Sequence, residues 1–435
     1  MNKFAASVGL IALGVSAVQA DTIPGMDASK PWSVSATLRG FYDDNVGTVS
    51  GAKRDSFGIE VSPSIGINWS PDPTTHLVFG YLYSAKYYDR KPPGNSDNWD
   101  QTHTLNLALD HAFSERYQVK VHDSFVIGQE PDTLRAGNAF ATFQRIPGDN
   151  VRNYGGIDFD AQITRELGFE IGYANAFYDY SASGAILDDS VIGGVIASPS
   201  GVLDRVEHSV HLDARWTIQP ETIGIIGAQY RTVNYTADEP IGLSASSPSG
   251  FIFSDNRNFH EYYAYVGADH TFRPDLTGSA RIGARYTDFY NDPNGNGSGW
   301  GPYAAINARW TYLPDSYVEL GLTEDVSATD LVGSSADTRG FTSSAETTVV
   351  YGSINHKFTP KLRGSALGQF QNSSYNGGSF DSTSEQDFLV GLNLTYQFTP
   401  HFSSELGYNY DRLESSIPGR KFDRNRVYIG VTASY

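Results

Sequence analysis

The sequence predicts an all-β fold, a closed antiparallel up-and-down transmembrane β-barrel of about 18 strands. Three observations predict it: long segments with alternating polarity, tight turns that alternate with long polar connections, and an N-terminal export signal. The composition agrees, since 40% of the 435 residues are apolar, only 18% are charged and none is cysteine. A soluble protein of this size carries about 25% charged residues.

The N-terminus predicts a secretory signal peptide over residues 1–20. Lys3 supplies the positive charge, residues 4–18 are apolar or small, and Ala20 ends a small-residue cleavage pattern. Residues 21–30 are then a short periplasmic segment, and residues 31–435 form the barrel. Past the signal no apolar run of about 18 residues predicts a membrane helix. A bacterial protein exported in this way either stays soluble or enters the outer membrane as a barrel.

The strands are predicted from alternation with a period of two residues. Leu105, Leu107 and Leu109 share one face of a segment whose other face carries Asn106 and Asp110. Such runs extend over ten or more residues, whereas globular strands have a mode of about 5–6 and a tilted bilayer-spanning strand needs about 9–11. The predicted strand centres are Leu38, Ile65, Tyr81, Leu107, Val121, Asp158, Ile171, Leu212, Ile226, Val266, Ile282, Ile306, Leu320, Val350, Leu367, Leu392, Tyr408 and Gly430.

The connections alternate in length. Eight tight turns, six of them with proline, lie near Pro71, Glu115, Glu166, Pro220, Pro274, Pro314, Pro360 and Pro400, and nine longer polar loops separate the other strand ends. Seventeen connections give 18 strands, with both termini on the tight-turn, periplasmic side. Sixteen strands result if one long loop hides a hairpin, and a β-propeller is a further alternative. Asp123 and Arg231 obscure which face of the fifth and ninth strands is apolar.

Aromatic residues near the tight turns predict a girdle in contact with outer-membrane lipid. They are Phe113, Trp216, Phe272, Trp310, Tyr312, Phe358 and Phe398.

The last strand carries a specific motif. Tyr428, Gly430, Ala433 and Tyr435 match the pattern polar-x-Gly-x-x-apolar-x-apolar, and the aromatic Tyr435 is the final residue. On this motif and on architecture the chain resembles the β-barrel porin families of Gram-negative bacteria. The resemblance implies that these four residues form the signal for the barrel assembly machinery. It brings no catalytic residue and no cofactor.

Charged residues on the predicted lumen face are candidates for pore-lining positions. The pore-lining set is Asp110, Asp158, Asp160, Asp213, Arg281, Arg285, Arg309 and Arg363. Its acidic and basic members come from different groups of strands, which predicts opposed walls of unlike charge and a transverse field that favours small polar solutes. The alternative is that each charge pairs with a residue on a neighbouring strand.

Three outer loops are long, at residues 129–150, 182–204 and 237–257. In the general porins that the chain resembles, the third outer loop folds inward and narrows the pore. Residues 129–150 are the corresponding loop here, and an external cap is the alternative.

Other functions are less well supported. The net charge of −18 argues against nucleic acid as a partner. Asp110 and His111, like Asp269 and His270, point to opposite faces, which argues against an acid–base dyad and an enzyme. Residues 291–299 have calcium-loop spacing, but Tyr303 stands where a calcium loop needs glutamate, and no metal or cofactor is predicted.

The sequence therefore favours a porin-like channel for passive diffusion of small hydrophilic solutes, with no preferred oligomeric state. The alternatives are a barrel for polysaccharide or oligosaccharide export or uptake, and a structural or adhesive surface barrel. Tyr154, Tyr263, Tyr265 and Tyr303 would form an aromatic track if a sugar slid through the lumen.

Overall fold

Eighteen long antiparallel strands form one sheet. The computed structural model describes residues 30–91, 97–129, 148–187, 195–243, 247, 249–292, 298–333 and 341–435. The long strands are β1 Trp32–Asp43, β2 Ser56–Asp72, β3 Thr75–Tyr88, β4 Trp99–Ala112, β5 Tyr117–Gly128, β6 Asn150–Gln162, β7 Leu167–Tyr180, β10 Arg205–Gln219, β11 Thr222–Tyr235, β14 Phe259–Arg273, β15 Leu276–Asp288, β16 Gly299–Leu313, β17 Ser316–Ser327, β18 Ser344–Lys357, β19 Leu362–Asn376, β20 Ser384–Thr399, β21 Phe402–Ser415 and β22 Phe422–Ser434.

Short elements lie in three of the outer connections. They are the hairpin β8 Ile186–Leu187 with β9 Val195–Ile196, the helix α1 Pro199–Leu203, the hairpin β12 Pro240–Leu243 with β13 Phe251–Phe253, and 3-10 turns at Ser254–Arg257 and Gly378–Phe380. Among the described residues, no helix is long and apolar enough to span a membrane.

The sheet closes on itself. Every long strand pairs antiparallel with its neighbours in sequence, and β1 pairs with β22 from Ser35 opposite Ser434 to Asp43 opposite Arg426. Closure leaves no strand edge with unpaired backbone groups. The predicted barrel of 18 strands is confirmed, and the 16-strand and propeller alternatives are wrong.

The two faces of the wall differ as the alternation predicts. Trp216 is 54% exposed on the outer face of β10, whereas His211 and Asp213 of the same strand are buried on the lumen face. At the tight-turn end, outward histidine rings pack edge-on against phenylalanines two residues later, as His111 does with Phe113 at 4.5 Å between centroids. The outer face is thus an apolar band with an aromatic edge.

The connections follow the predicted alternation. The eight tight turns contain two to four residues, and the nine outer connections contain six or more. The two-residue turn after β16 consists of Pro314 and Asp315. The proline ring fixes φ at about −65° at the first position, and Asp315 takes the positive φ of 60° at the second. All predicted strand centres lie within the long strands.

The two ambiguous strands are explained by single polar residues. Asp123 shares the outer face of β5 with Ile127, and its carboxylate accepts a hydrogen bond from Asn153 Nδ2 at 2.9 Å. Arg231 faces the lumen from β11 and is buried there. Each residue has a local partner, so the alternation of the strand holds around it.

Candidate functional site

Four outer connections meet inside the outer end of the barrel. They are the described parts of 181–204, 236–258, 328–343 and 416–421, here called the loop bridge. They pack on lumen-facing side chains of the wall, as Val202 and Leu203 do against Tyr178 and Tyr180. Inside the outer end of the barrel, the loop bridge therefore links the connections from β7–β10 to β21–β22.

Arg257 joins three of the four connections. Its side chain is fully buried, and its guanidinium donates hydrogen bonds to the carbonyl oxygens of Val202, at 3.1 Å, and Thr329. The guanidinium carbon also lies 4.4 Å from the centroid of the Tyr235 ring on the lumen wall. A buried cation with backbone and aromatic partners fixes the relative positions of these connections.

Arg420 attaches the fourth connection. Its Nη2 lies 2.9 Å from Asp330 Oδ1, and its Nε lies 2.7 Å from Glu385 Oε1 at the start of β20. These ion pairs are largely buried, so salt screens them much less than exposed pairs. Arg420 thus joins residues 416–421 to both residues 328–343 and the barrel wall.

Apolar contacts fill the loop bridge. Ile241, Ile252 and Phe341 form one buried cluster, with Ala197 and Val332 packed against it. These five residues come from three different connections, so this cluster is buried only when all three are in place. The three connections consequently form as a unit.

Asp204 ends the helix α1 within the loop bridge. Its carboxylate accepts hydrogen bonds from the backbone amide of Tyr180, at 2.7 Å, and from the Ser200 hydroxyl. Burial raises the pKa of Asp204 to about 6, and the nearby carboxylates Asp179 and Glu239 act in the same direction. This group therefore titrates near neutral pH.

A network of charged side chains lines the wall below the loop bridge. Arg231 Nη2 lies 2.6 Å from Glu207 Oε2, and its Nη1 lies 3.2 Å from Glu261 Oε2. All three are buried on adjacent strands, and the Tyr263 hydroxyl donates to Glu261 and Asp325. The lumen wall at this level is rigid because each charge has a fixed partner.

The structure brings most of the predicted acidic pore-lining residues together. Asp158 and Asp160 lie on β6, Asp213 lies on β10, and Glu170 lies between them on β7. Lys120 Nζ lies 2.9 Å from Asp160 Oδ2. Asp110 is separate, since it lies exposed on β4 with β5 between it and the others.

Three of the four predicted basic residues have carboxylate partners within the wall. Arg281 Nη1 lies 2.7 Å from Asp269, Arg285 Nη2 lies 2.8 Å from Glu346, and Arg309 Nη1 lies 3.9 Å from Glu319. Arg363 is exposed at the start of β19. These pairs reduce the net charge of the predicted arginine wall. Arg281 and Arg309 pair with the adjacent strands β14 and β17, whereas Arg285 reaches across two strands to β18.

Three of the four rings of the predicted aromatic track are buried. Tyr263, Tyr265 and Tyr303 are buried in one cluster with Ile225 and Ala305. Their hydroxyls serve the charge network instead, as that of Tyr265 does by donating to Asp213. This arrangement gives a sugar no stacking surface on these rings.

The two sequential Asp–His pairs do not form dyads. The Nδ1 of His111 lies 2.9 Å from the Thr75 hydroxyl on the outer face. Asp269 faces the lumen, where it contacts Arg215 and Arg281. The opposite orientation that alternation predicts is confirmed.

The C-terminal strand forms the seam of the barrel. Tyr435 exchanges two backbone hydrogen bonds with Val34, at 2.9 and 3.2 Å, and its ring centroid lies 5.7 Å from that of Trp32. On the lumen side, the Arg39 guanidinium lies 4.6 Å from the centre of the Tyr428 ring. The predicted motif residues therefore lie where the first and last strands meet.

Sequence reasoning missed Arg257 and Arg420. Both lie in polar loop segments with no periodic pattern, so nothing in the local sequence distinguishes them from solvated arginines. The predicted constriction at residues 129–150 lies largely outside the described residues. The loop bridge comes from the two other long loops and from two shorter ones.

One family matches almost the whole chain. The family described as "Putative beta-barrel porin 2" matches residues 33–435. No curated protein matches the chain.

Several solved structures are similar to the chain. The outer membrane protein OpdK from Pseudomonas aeruginosa has 12% identity and a TM-score of 0.44, and the alignment covers 93% of this chain and 99% of OpdK. A BenF-like porin from Pseudomonas fluorescens has 11% identity, a TM-score of 0.44 and the same coverage. OccAB4 from Acinetobacter baumannii has 12% identity, a TM-score of 0.40 and again the same coverage. Sequence identities and TM-scores this low do not indicate which solutes the chain transports.

Proposed function

The chain belongs to the putative beta-barrel porin 2 family, and from that premise we propose that small hydrophilic solutes diffuse passively through its lumen beside the loop bridge. The protein is a porin-like channel for small solutes in the outer membrane of a Gram-negative bacterium. The family is one of channels, and we propose no catalytic step.

One observation carries the proposal of hydrophilic passage. Charged side chains face the lumen at successive levels, from Arg39 with Glu60 and Glu405 on the seam side to Arg231 with Glu207 below the loop bridge. Ionised groups keep water in a wide barrel because removing them from water is costly. Such a lumen favours polar solutes over apolar ones.

The loop bridge supports a restricted path. Its attachment points extend from β7 to β22, and none of its described members belongs to a connection between β1 and β6. We propose that the path passes the loop bridge along that sector and that below the bridge it borders the paired residues of the wall. The bridge would then limit the size of the solutes that pass, and the paired residues of the wall would select them by charge.

The arginine pairs give a test of selectivity. In an Arg281→Ser/Arg285→Ser double variant, we expect a severalfold shift of ion selectivity toward cations and a larger conductance. The reason is that two positive charges leave the wall: Glu346 loses its partner at 2.8 Å, and Asp269 loses the one at 2.7 Å and keeps only Arg215. Reversal potentials in planar bilayers under a salt gradient measure the shift.

A matched control is Arg273→Ser, which removes an exposed arginine at the tight-turn rim, 3.2 Å from Asp275. It should change selectivity much less, since exposed charges are screened. Migration on a gel before and after boiling verifies folding. Unchanged reversal potential in a folded double variant would show that these arginines do not border the solute path, and an absence of conductance in the wild-type protein would refute an open channel.

Asp204 predicts a pH dependence of the loop bridge. Because burial raises its folded pKa to about 6 and the unfolded value is about 3.9, the folded loop gains a proton first as the pH falls. The bridge should therefore become more stable as the pH falls from about 6 to about 4, and it should be less stable at pH 7.5. Limited proteolysis of the outer loops at pH 5 and pH 7.5 measures the difference.

Asp204→Asn should abolish this dependence while its amide oxygen still accepts from the Tyr180 amide and its amide nitrogen can donate to the Ser200 hydroxyl. Asp55→Asn, in the exposed β1–β2 connection, should leave it unchanged. Equal protease resistance of the wild-type protein at the two pH values would contradict the assignment to Asp204.

A further inference from the structure

Three metal-ligating side chains meet on the lumen face of β6, β7 and β10. Asp158, Glu170 and His211 each offer one ligand atom, and these atoms all lie within 4.8 Å of one another. The register places Asp158 and His211 on either side of Gly172, at the same level of the wall. Three adjacent strands thus deliver one donor each.

The histidine is the unexpected member of this group. His211 is only 6% exposed, and its buried Nε2 makes no hydrogen bond of good geometry, its contact being the Glu170 carboxylate. That nitrogen lies 3.4 Å from Glu170 Oε1 and 3.9 Å from Asp158 Oδ1. A buried ring nitrogen without a good hydrogen bond is costly, and here it is directed at two carboxylates.

Gly172 provides the space for this convergence. A Cβ atom at this position would lie 2.1 Å from His211 Cε1 and 2.2 Å from Asp158 Oδ1. Any other residue would separate the imidazole from the carboxylate.

The surrounding charges leave a negative excess. Lys120, Arg215 and Arg281 contact this part of the wall, and with His211 neutral and every carboxyl ionised they face two more carboxylates than they can neutralise. The carboxylates are those of Asp158, Asp160, Glu170, Asp213 and Asp269. A divalent cation would remove this excess.

Neighbouring residues orient the donors without occupying them. Arg215 Nη1 donates to Glu170 Oε2 at 2.6 Å, which leaves Oε1 directed at His211. Lys120 donates to Asp160, and within the described part of the chain the Asp158 carboxylate accepts no hydrogen bond. Hydrogen bonds to the far side of a ligand are the usual outer shell of a protein metal site.

We propose that Asp158, Glu170 and His211 form a binding site for a divalent transition metal of the zinc class in the channel wall. Tetrahedral zinc with bonds of about 2.1 Å places its ligands about 3.4 Å apart. The distance from His211 to Glu170 equals this value, and the distance from His211 to Asp158 is longer at 3.9 Å, so Asp158 would move inward when the ion binds. An imidazole donor favours zinc over calcium or magnesium. The bound ion would hold β6, β7 and β10 together at the lumen surface, whatever solute passes.

Zinc binding to the whole folded protein tests the site. The protein, purified in detergent without a polyhistidine tag and stripped with EDTA, is titrated with ZnCl2 by calorimetry, and bound zinc is counted by mass spectrometry. We expect saturable binding of about one ion per barrel that excess calcium does not displace. His211→Gln should weaken it more than about 100-fold.

His122→Gln is the matched control, because the buried Nε2 of His122 also makes no hydrogen bond of good geometry but belongs to no such cluster among the described residues. It should bind zinc as the wild type does. If His211→Gln does not fold, Asp158→Asn replaces it with the same expected loss. No saturable binding by the wild type, or unchanged affinity in a folded site variant, would overturn the proposal and leave the channel function unaffected.

Discussion

Deletion of Tyr435 is expected to reduce sharply the amount of folded barrel in the outer membrane. The last residue closes the seam, since it exchanges two backbone hydrogen bonds with Val34 and its ring lies between those of Trp32 and His401, at 5.7 and 5.9 Å. Without it, backbone groups at the seam lose their hydrogen-bond partners. Lipid offers no replacement, so each unpaired group costs several kcal/mol. The aromatic end is also the proposed assembly signal.

The measurement is the heat-modifiable fraction of the protein in outer-membrane preparations, compared on unboiled and boiled gels. Tyr435→Phe keeps both the ring and the backbone hydrogen bonds and should give normal yield. Tyr435→Lys keeps the backbone but places a charge at the seam, and its yield should fall with that of the deletion. If the deletion variant accumulates normally as folded barrel, Tyr435 is not part of the assembly signal.

Replacement of Arg257 should open the loop bridge. In Arg257→Met most of the side-chain volume remains, but the carbonyl oxygens of Val202 and Thr329 lose their donor. Each buried carbonyl left unpaired costs about 1–3 kcal/mol, which is large for contacts between loops. We expect a clearly larger single-channel conductance and rapid cleavage of the outer connections by protease, with the barrel itself intact.

Arg412→Met is the control for this variant, because Arg412 is exposed near the outer end of β21 and pairs there with Glu414. Its conductance should equal that of the wild type. If Arg257→Met folds and conducts as the wild type does, the loop bridge does not limit the path, and the constriction lies elsewhere.

The strand number could be predicted from sequence because its determinants are local. Alternation at positions such as Leu105 to Asp110 depends only on which face each residue presents. Turn chemistry depends on a few consecutive residues, as at Pro314 and Asp315. Asp123 and Arg231 obscured two strands without changing their number, since each has a partner beside it in the structure.

Alternation predicts which face of the wall a charged residue lies on, but not which charge it contacts. Alternation put Arg281 and Asp158 on the lumen face, and the structure agrees. Whether they form opposed walls or pairs depends on the register between strands, which sets Arg281 beside Asp269 and His211 beside Asp158. One residue of slip in register would change every pair.

By itself the sequence determined the class of protein: an exported chain, strands long enough to cross a membrane, an even strand number, and a polar lumen inside an apolar wall. Only the tertiary structure decided what lies across that lumen. Arg257 reaches partners 55 and 72 residues away, and Arg420 reaches one 90 residues away. Such contacts leave no periodic trace, because they depend on the barrel first bringing the ends of distant strands to one rim. The same holds for Asp158, Glu170 and His211, whose meeting depends on the register of three strands and on the missing side chain of Gly172.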